Sequence, residues 1–144
     1  MLLDRASELY RRAQSSVIEV APNSKLPLFG KTIALIFEKP SLRTRLSFTV
    51  GIQKLGGSVV ELTGSQKKSE EPEDAIRVLQ GMVDGVMIRT FGHEILERMI
   101  PHSQIPIING LSDLHHPCQA LADLLTLKQK FGELRGLKLA YIGD

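Results

Sequence analysis

The chain has no tryptophan, two tyrosines and five phenylalanines among 144 residues. So few aromatic faces argue against a base-stacking surface. The net charge of +2 is too small to argue for nucleic acid, and the cations are not gathered into a basic tail. The single cysteine, Cys118, cannot form an internal disulfide, which fits a reducing, cytoplasmic setting. No apolar run approaches the length needed to span a bilayer, so no membrane association is expected. The N-terminal stretch MLLDRASELYRRAQS lacks a signal-peptide core. It reads instead as an amphipathic helix over about residues 2–14, with Leu2, Leu3, Ala6, Leu9 and Tyr10 to one side.

What remains is an ordinary globular composition, 42% hydrophobic and 24% charged, in a chain long enough for one domain with a core. Short apolar runs alternate with helical periodicity. KTIALIF is followed by a helix from about Leu42 to Leu55, stopped by Gly56 and Gly57. SVVEL is the second strand, and GSQKKSEEPED is a polar loop. Ile76, Leu79, Met82 and Val83 have helical spacing within residues 73–83. GVMIR, HEILERMI and IPIIN predict strand, helix and strand, and Pro117 to Phe131 predicts a helix. KLAYIGD predicts a last strand running into a Gly-Asp turn. Such alternation with near-continuous apolar strands predicts an α/β fold, a parallel sheet with helices on both faces.

In open parallel sheets, ligands bind beyond the carboxyl ends of the strands. Three polar clusters are expected there: Ser41 to Thr44, Arg89 with Thr90, and the run NGLSDLHHPCQ. The first sets Lys39, Arg43 and Arg45 about the start of a helix. Ser41 can cap that helix, and Pro40 fits just ahead of the cap, where no helical N–H is needed. The free N–H groups of the first turn and the helix dipole favour an anion such as phosphate. Arg43 offers a two-pronged donor and Thr44 a hydroxyl. The same dipole mildly repels cations, so arginines here make sense with an anion between. A solvated helix start is the plain alternative.

Other clusters are less pointed. His115 and His116 are adjacent and diverge at a helix entry, and no cysteine or carboxylate cluster joins them, so no metal is expected. Cys118 reads as a small buried hydrophobe rather than a nucleophile. Asp123 reads as a helix-packing residue.

FEKPSLRTR and HPCQALAD resemble, in order, the two signature motifs of the aspartate/ornithine carbamoyltransferase family, and MIRT and INGLSD match the stretches between them. The resemblance covers roughly Leu28 to Asp144. Cys118 within HPCQ, and Lys39 before the proline, look like the ornithine branch. The resemblance implies transfer of a carbamoyl group from carbamoyl phosphate to L-ornithine, giving citrulline and phosphate, in arginine metabolism. It implies no metal or organic cofactor, and a homotrimer.

By the same resemblance, Ser41, Arg43 and Thr44 would hold the phosphate, with the backbone of Leu42 assisting. Arg89 would bridge phosphate and carbamoyl oxygen, and His116 and Gln119 would contact the carbamoyl group. Thr44, Arg89 and His116 would then stabilise the oxyanion that forms as the amine attacks. Gln66 is the best match for a glutamine that reaches into a neighbouring subunit's site, with Lys67 or Lys68 as a basic companion. Leu42 replaces the threonine most frequent in the ornithine branch, and PSLRTR is also similar to relatives acting on N-acylated ornithine; aspartate is a further alternative. The expected organisation is a carbamoyl phosphate-binding domain over residues 1–135 and, over 136–144, the first strand of a truncated second α/β domain that would bind the acceptor. A non-catalytic phosphate-binding or oligomerisation module is the alternative from another functional class.

Overall fold

A parallel strand needs a hydrogen-bonding neighbour and cover on its faces, and four short apolar segments here pair with one another. The structure, a computed structural model, describes residues 1–14, 26–63 and 70–142. In chain order the elements are α1 (Leu2–Gln14), β1 (Thr32–Phe37), α2 (Leu42–Lys54), β2 (Ser58–Thr63), α3 (Pro72–Leu79), β3 (Gly85–Arg89), α4 (Glu94–Met99), β4 (Ile107–Leu111) and α5 (Pro117–Phe131). A short 3-10 turn, Ile100–His102, follows α4. They form two compact units, one of Glu19–Pro117 and one of Met1–Ile18 with Cys118–Asp144.

The larger unit holds a four-stranded parallel sheet in the order β2-β1-β3-β4. Alternate side chains of β1 and β3 go to opposite faces, as pleating requires. On one face, Ala34, Val86 and Ile88 pack with Ile76 of α3 and with Leu96 and Met99 of α4. On the other, Leu35, Phe37 and Met87 pack with Ile52 of α2. Helices therefore cover both faces, as the strand-helix alternation predicts. Gly57 is pressed so close to α2 that a Cβ there would lie 2.9 Å from the Ile52 side chain. Gly56 adopts φ +86°, which ends α2 and turns the chain toward β2.

Several boundaries depart from expectation. The helix expected over 73–83 ends at Leu79, because Gly81 follows and residues 80–82 fold into a turn. The strand expected over 105–109 runs from Ile107 to Leu111. Pro106 has no N–H for a ladder and contributes only its carbonyl, which accepts from Val86 N at 2.9 Å. Residues 138–142 form no strand. A strand exists through its ladder, and none of the described strands pairs with this segment; Leu139, Tyr141 and Ile142 are left exposed. The loop over 64–69, with Gln66, Lys67 and Lys68, lies outside the described residues.

In the smaller unit, α1 and α5 are joined by an ion pair of Asp4 with Lys128. That bond, with the N-terminal ammonium, holds the Asp4 carboxyl at about 2. Gly132, at φ +79°, closes α5 by donating its N–H to the Lys128 carbonyl.

At the amino edge of the sheet, Asp84 ties β1 to β3. Its carboxylate accepts from Lys31 Nζ and from Thr32 N, each at 2.8 Å. These bonds, that of Lys31 foremost, hold the carboxyl below its ordinary value of 3.8. A depressed carboxyl contributes stability that is complete above its unfolded-state pKa and disappears as pH falls through the folded value. Urea midpoints of the parent should therefore fall more between about pH 5 and about pH 2.5 than those of Asp84→Asn. Parallel slopes in the two proteins would rule the tie out.

Candidate functional site

Strand order sets where loops converge. The helix after β1 packs on one face and the helix after β3 on the other, so the loops leaving these adjacent strands part company. The crevice between them is the position where open α/β sheets hold ligands. Phe37 and Arg89 are register partners at the carboxyl ends of β1 and β3, and Arg89 in turn pairs with Leu111 of β4. The three polar clusters of the sequence thus start from neighbouring positions on one edge.

Ser41 caps α2. Its backbone is extended, at φ −159° and ψ 102°, and its hydroxyl oxygen accepts from Thr44 N at 3.4 Å. The same hydroxyl donates to Thr44 Oγ1 at 2.9 Å, and Arg89 Nη1 donates to that oxygen at 3.4 Å. Ser41, Thr44 and Arg89, which come from two strand ends, therefore form one continuous hydrogen-bonded row. Arg89 Nε is buried and has no hydrogen-bond partner among the described residues. The first turn of α2 contains no acidic side chain to neutralise the dipole there.

The cations about this helix start divide by role. Arg45 is spent on structure: its guanidinium lies 3.3 Å from Glu61 and stacks over Phe37 with 5.0 Å to the ring centre. Lys39 sits 4.4 Å above the ring of Phe91, bridging the loops after β1 and β3. Arg43 is exposed and has no ion-pair or hydrogen-bond partner among the described residues. Leu42 is also exposed, at 73%, so its side chain does not wall off the backbone of the first turn.

The end of β3 is shaped by a local irregularity. Ile88 pairs with Asn109 but Arg89 pairs with Leu111, so Gly110 is the extra residue of a bulge. A Cβ on Gly110 would lie 2.4 Å from the Met87 sulfur, inside a fully buried side chain, which leaves glycine as the residue that fits. The bulge turns the chain out of β4 toward Ser112 and His116.

A carboxylate that the sequence pattern left without a role turns out to tie these loops. Glu38, directly after β1, accepts a 2.5 Å hydrogen bond from the hydroxyl of Thr90, which is fully buried. It also accepts from Phe91 N at 3.4 Å, while its own N–H donates to the Arg89 carbonyl at 2.9 Å. The only sequence signal is a charge placed directly after an apolar strand, and that signal does not name its partner.

His116 is half-buried at the end of the loop after β4, next to the start of α5. Gln119 belongs to the other compact unit, where its amide donates to Asp123 at 2.9 Å; Asp123 is thus a helix-surface partner. Gln66 lies outside the described residues. Cys118 is half-buried, and burial pushes its thiol pKa up, the reverse of what a nucleophile needs. Among the described residues no group of three or more His, Cys, Asp or Glu could hold a metal ion, and no helix is long and apolar enough to cross a membrane.

Comparison with known proteins adds to this geometry. Residues 1–129 match the family model "Aspartate/ornithine carbamoyltransferase, carbamoyl-P binding domain". The ornithine carbamoyltransferase of Bacillus subtilis is 53% identical over 132 residues, which are 88% of this chain and 41% of that protein. The crystal structure of ornithine carbamoyltransferase from Thermus thermophilus superposes with a TM-score of 0.85 at 42% identity, over 99% of this chain and 48% of that one. Aspartate transcarbamoylase from Trypanosoma cruzi, in complex with N-(phosphonacetyl)-L-aspartic acid, gives a TM-score of 0.82 at 31% identity, over 99% and 45%. The chain spans less than half the length of the curated relatives it matches.

The Glu38–Thr90 tie is open to direct measurement. Thr90→Val keeps the side-chain volume but leaves the carboxylate without its hydroxyl donor, and should cost about 1–3 kcal/mol in denaturant unfolding. Thr90→Ser, which keeps the hydroxyl, should recover most of that loss. Equal stability of the Val variant and the parent would show that the bond contributes nothing.

Proposed function

The chain belongs to the aspartate/ornithine carbamoyltransferase family, and from that premise we propose that residues 1–135 hold the carbamoyl phosphate of an ornithine carbamoyltransferase. The observation that carries this reading is the row Ser41–Thr44–Arg89 across the β1–β3 crevice, with Arg43, which has no partner among the described residues, beside it. The dianionic phosphate takes the free N–H groups of the first α2 turn, the backbone of Leu42 among them, with the Ser41 and Thr44 hydroxyls and the Arg43 guanidinium. Arg89 bridges phosphate and carbamoyl oxygen.

In the reaction, the acceptor amine attacks the carbamoyl carbon and electron density moves onto its oxygen. Thr44, Arg89 and His116 donate hydrogen bonds to that oxygen as it becomes negative. The C–O bond to phosphate then breaks, the leaving phosphate takes the proton that the amine gives up, and the resulting dianion stays where the helix terminus and Arg43 compensate it. Gln119 accepts from the carbamoyl NH₂ and orients it. Gln66 reaches the site of a neighbouring subunit in a homotrimer. No cofactor enters these steps.

The acceptor half begins at residues 136–144, and the whole serves arginine biosynthesis in the cytoplasm. L-Ornithine is favoured over aspartate by sequence likeness: identity is 53% and 42% with the two ornithine carbamoyltransferases, against 31% with the aspartate transcarbamoylase. N-acylated ornithine remains the alternative raised by Leu42. The reading from another class is a non-catalytic phosphate-binding or oligomerisation module.

Carbamoyl phosphate or inorganic phosphate at about a hundred times its Kd should stabilise the folded chain by about 2.7 kcal/mol, read as a rise in Tm. Arg43→Ala should remove most of that rise; an unchanged shift would move the anion elsewhere. Citrulline formation by the chain produced together with its acceptor-binding half separates enzyme from module, which would give none. In that enzyme His116→Ala should lower kcat by about two to three orders of magnitude, with phosphate affinity little changed.

A further inference from the structure

The turn that carries His116 is built around the Ser112 hydroxyl, and the arithmetic of that hydroxyl identifies a residue acting behind it. Ser112 is buried, at 3% exposure. Its oxygen accepts from Asn109 Nδ2 at 3.2 Å and from His115 N at 3.2 Å, which fills both lone pairs. It has one proton left to give. Two acceptors stand nearby: His93 Nδ1 at 2.8 Å and the His115 carbonyl at 3.3 Å. That carbonyl already accepts from Ser112 N at 2.9 Å and from Asn109 Nδ2 at 3.4 Å. An inverted Asn109 amide would set its oxygen 3.4 Å from the same carbonyl, two acceptors face to face, which favours the orientation with Nδ2 toward the turn. The shorter and unfilled contact takes the proton.

We infer that His93 is a positioning residue: its Nδ1 accepts the Ser112 proton, which fixes the neutral imidazole as the Nε2–H tautomer and holds the 112–116 turn in the geometry that sets His116 at the site. The reverse assignment, a proton on Nδ1, would give the serine oxygen three donors for two lone pairs. The backbone reinforces the link between the two loops. His93 N donates to Asp113 Oδ1 at 2.9 Å, and Asp113 N donates to the Phe91 carbonyl at 3.0 Å. The His93 and His115 rings stand perpendicular, with centres 5.3 Å apart, so His115 packs against the imidazole on which the turn depends. The link to catalysis rests on the reading of His116 given above; the hydrogen-bond assignment does not.

The test uses the ¹⁵N-labelled chain at about pH 8, above the ordinary histidine range. Two-bond ¹H–¹⁵N correlations of the imidazoles should show His93 with a bare Nδ1 and a proton on Nε2. A proton on Nδ1 overturns the assignment. Two variants then separate positioning from packing. In His93→Ala, amide exchange at Ser112 and His115 should quicken by about threefold to tenfold, the worth of one hydrogen bond, while that of Leu35 and Val86 stays put. His93→Asn, whose carboxamide oxygen can take the same proton, should restore the parent rates. Unchanged exchange in His93→Ala overturns the positioning role. Carbamoyl phosphate affinity should fall by about threefold to tenfold in His93→Ala and recover in His93→Asn, with inorganic phosphate affinity unmoved. Equal carbamoyl phosphate affinity in parent and Ala variant also overturns it. A parent that binds no carbamoyl phosphate refutes the proposed function, and the exchange arm still decides whether His93 holds the turn.

Discussion

The pairing of β1 with β3 is the constraint on which the carboxyl edge of the sheet depends. Phe37 and its register partner Arg89 are 52 positions apart, and they meet only because the chain first visits β2 and then crosses back over β1. That crossing sends α2 to one face and α3 and α4 to the other. It leaves one crevice where a helix start, an arginine at a strand end and a tight turn meet. Asp84 secures the pair at its amino edge and Glu38 at its carboxyl edge. Both do so with carboxylates that accept from residues at or next to the opposite strand's end.

Polar groups around the crevice fall into two kinds. Arg45, Lys39 and Glu38 spend their charge on contacts within the chain. Arg43 has no such contact among the described residues, and the N–H groups beside it belong to a helix turn that cannot bond them internally. A surface that fixes some cations firmly and leaves one without a partner among the described residues, next to an electropositive helix end, is complementary to a compact, multiply charged anion. The bulge at Gly110 belongs to the same design, because it redirects β4 toward the turn bearing His116 at the cost of a position where only glycine fits.

Much of this was legible in the residues. Apolar runs of five or six residues marked β1, β2 and β3 nearly to their ends, and Ser41 with Gly56 bracketed α2, because caps and stops are local chemistry. Pro106 moved β4 by two residues, since a ladder depends on the partner's N–H groups as well as on hydrophobicity. KLAYI has the composition of a strand, yet residues 138–142 are not one, because composition supplies no neighbour. Glu38 with Thr90, and His93 with Ser112, were invisible for another reason. Each joins residues 52 and 19 positions apart through single hydrogen bonds, and no periodicity announces such a bond. Ser41, Thr44 and Arg89 were expected together and are joined; Gln66 and Gln119 lie respectively outside the described residues and in the other compact unit.

The cap at Ser41 carries a consequence for exchange. Its hydroxyl is already committed on both sides, accepting from Thr44 N and donating to Thr44 Oγ1. An anion arriving at this turn would meet the N–H groups that no internal acceptor can take, and it could come and go while Ser41 keeps Thr44 N bonded. Such a cap is worth about 1 kcal/mol, and it holds the turn in shape whether or not an anion is present.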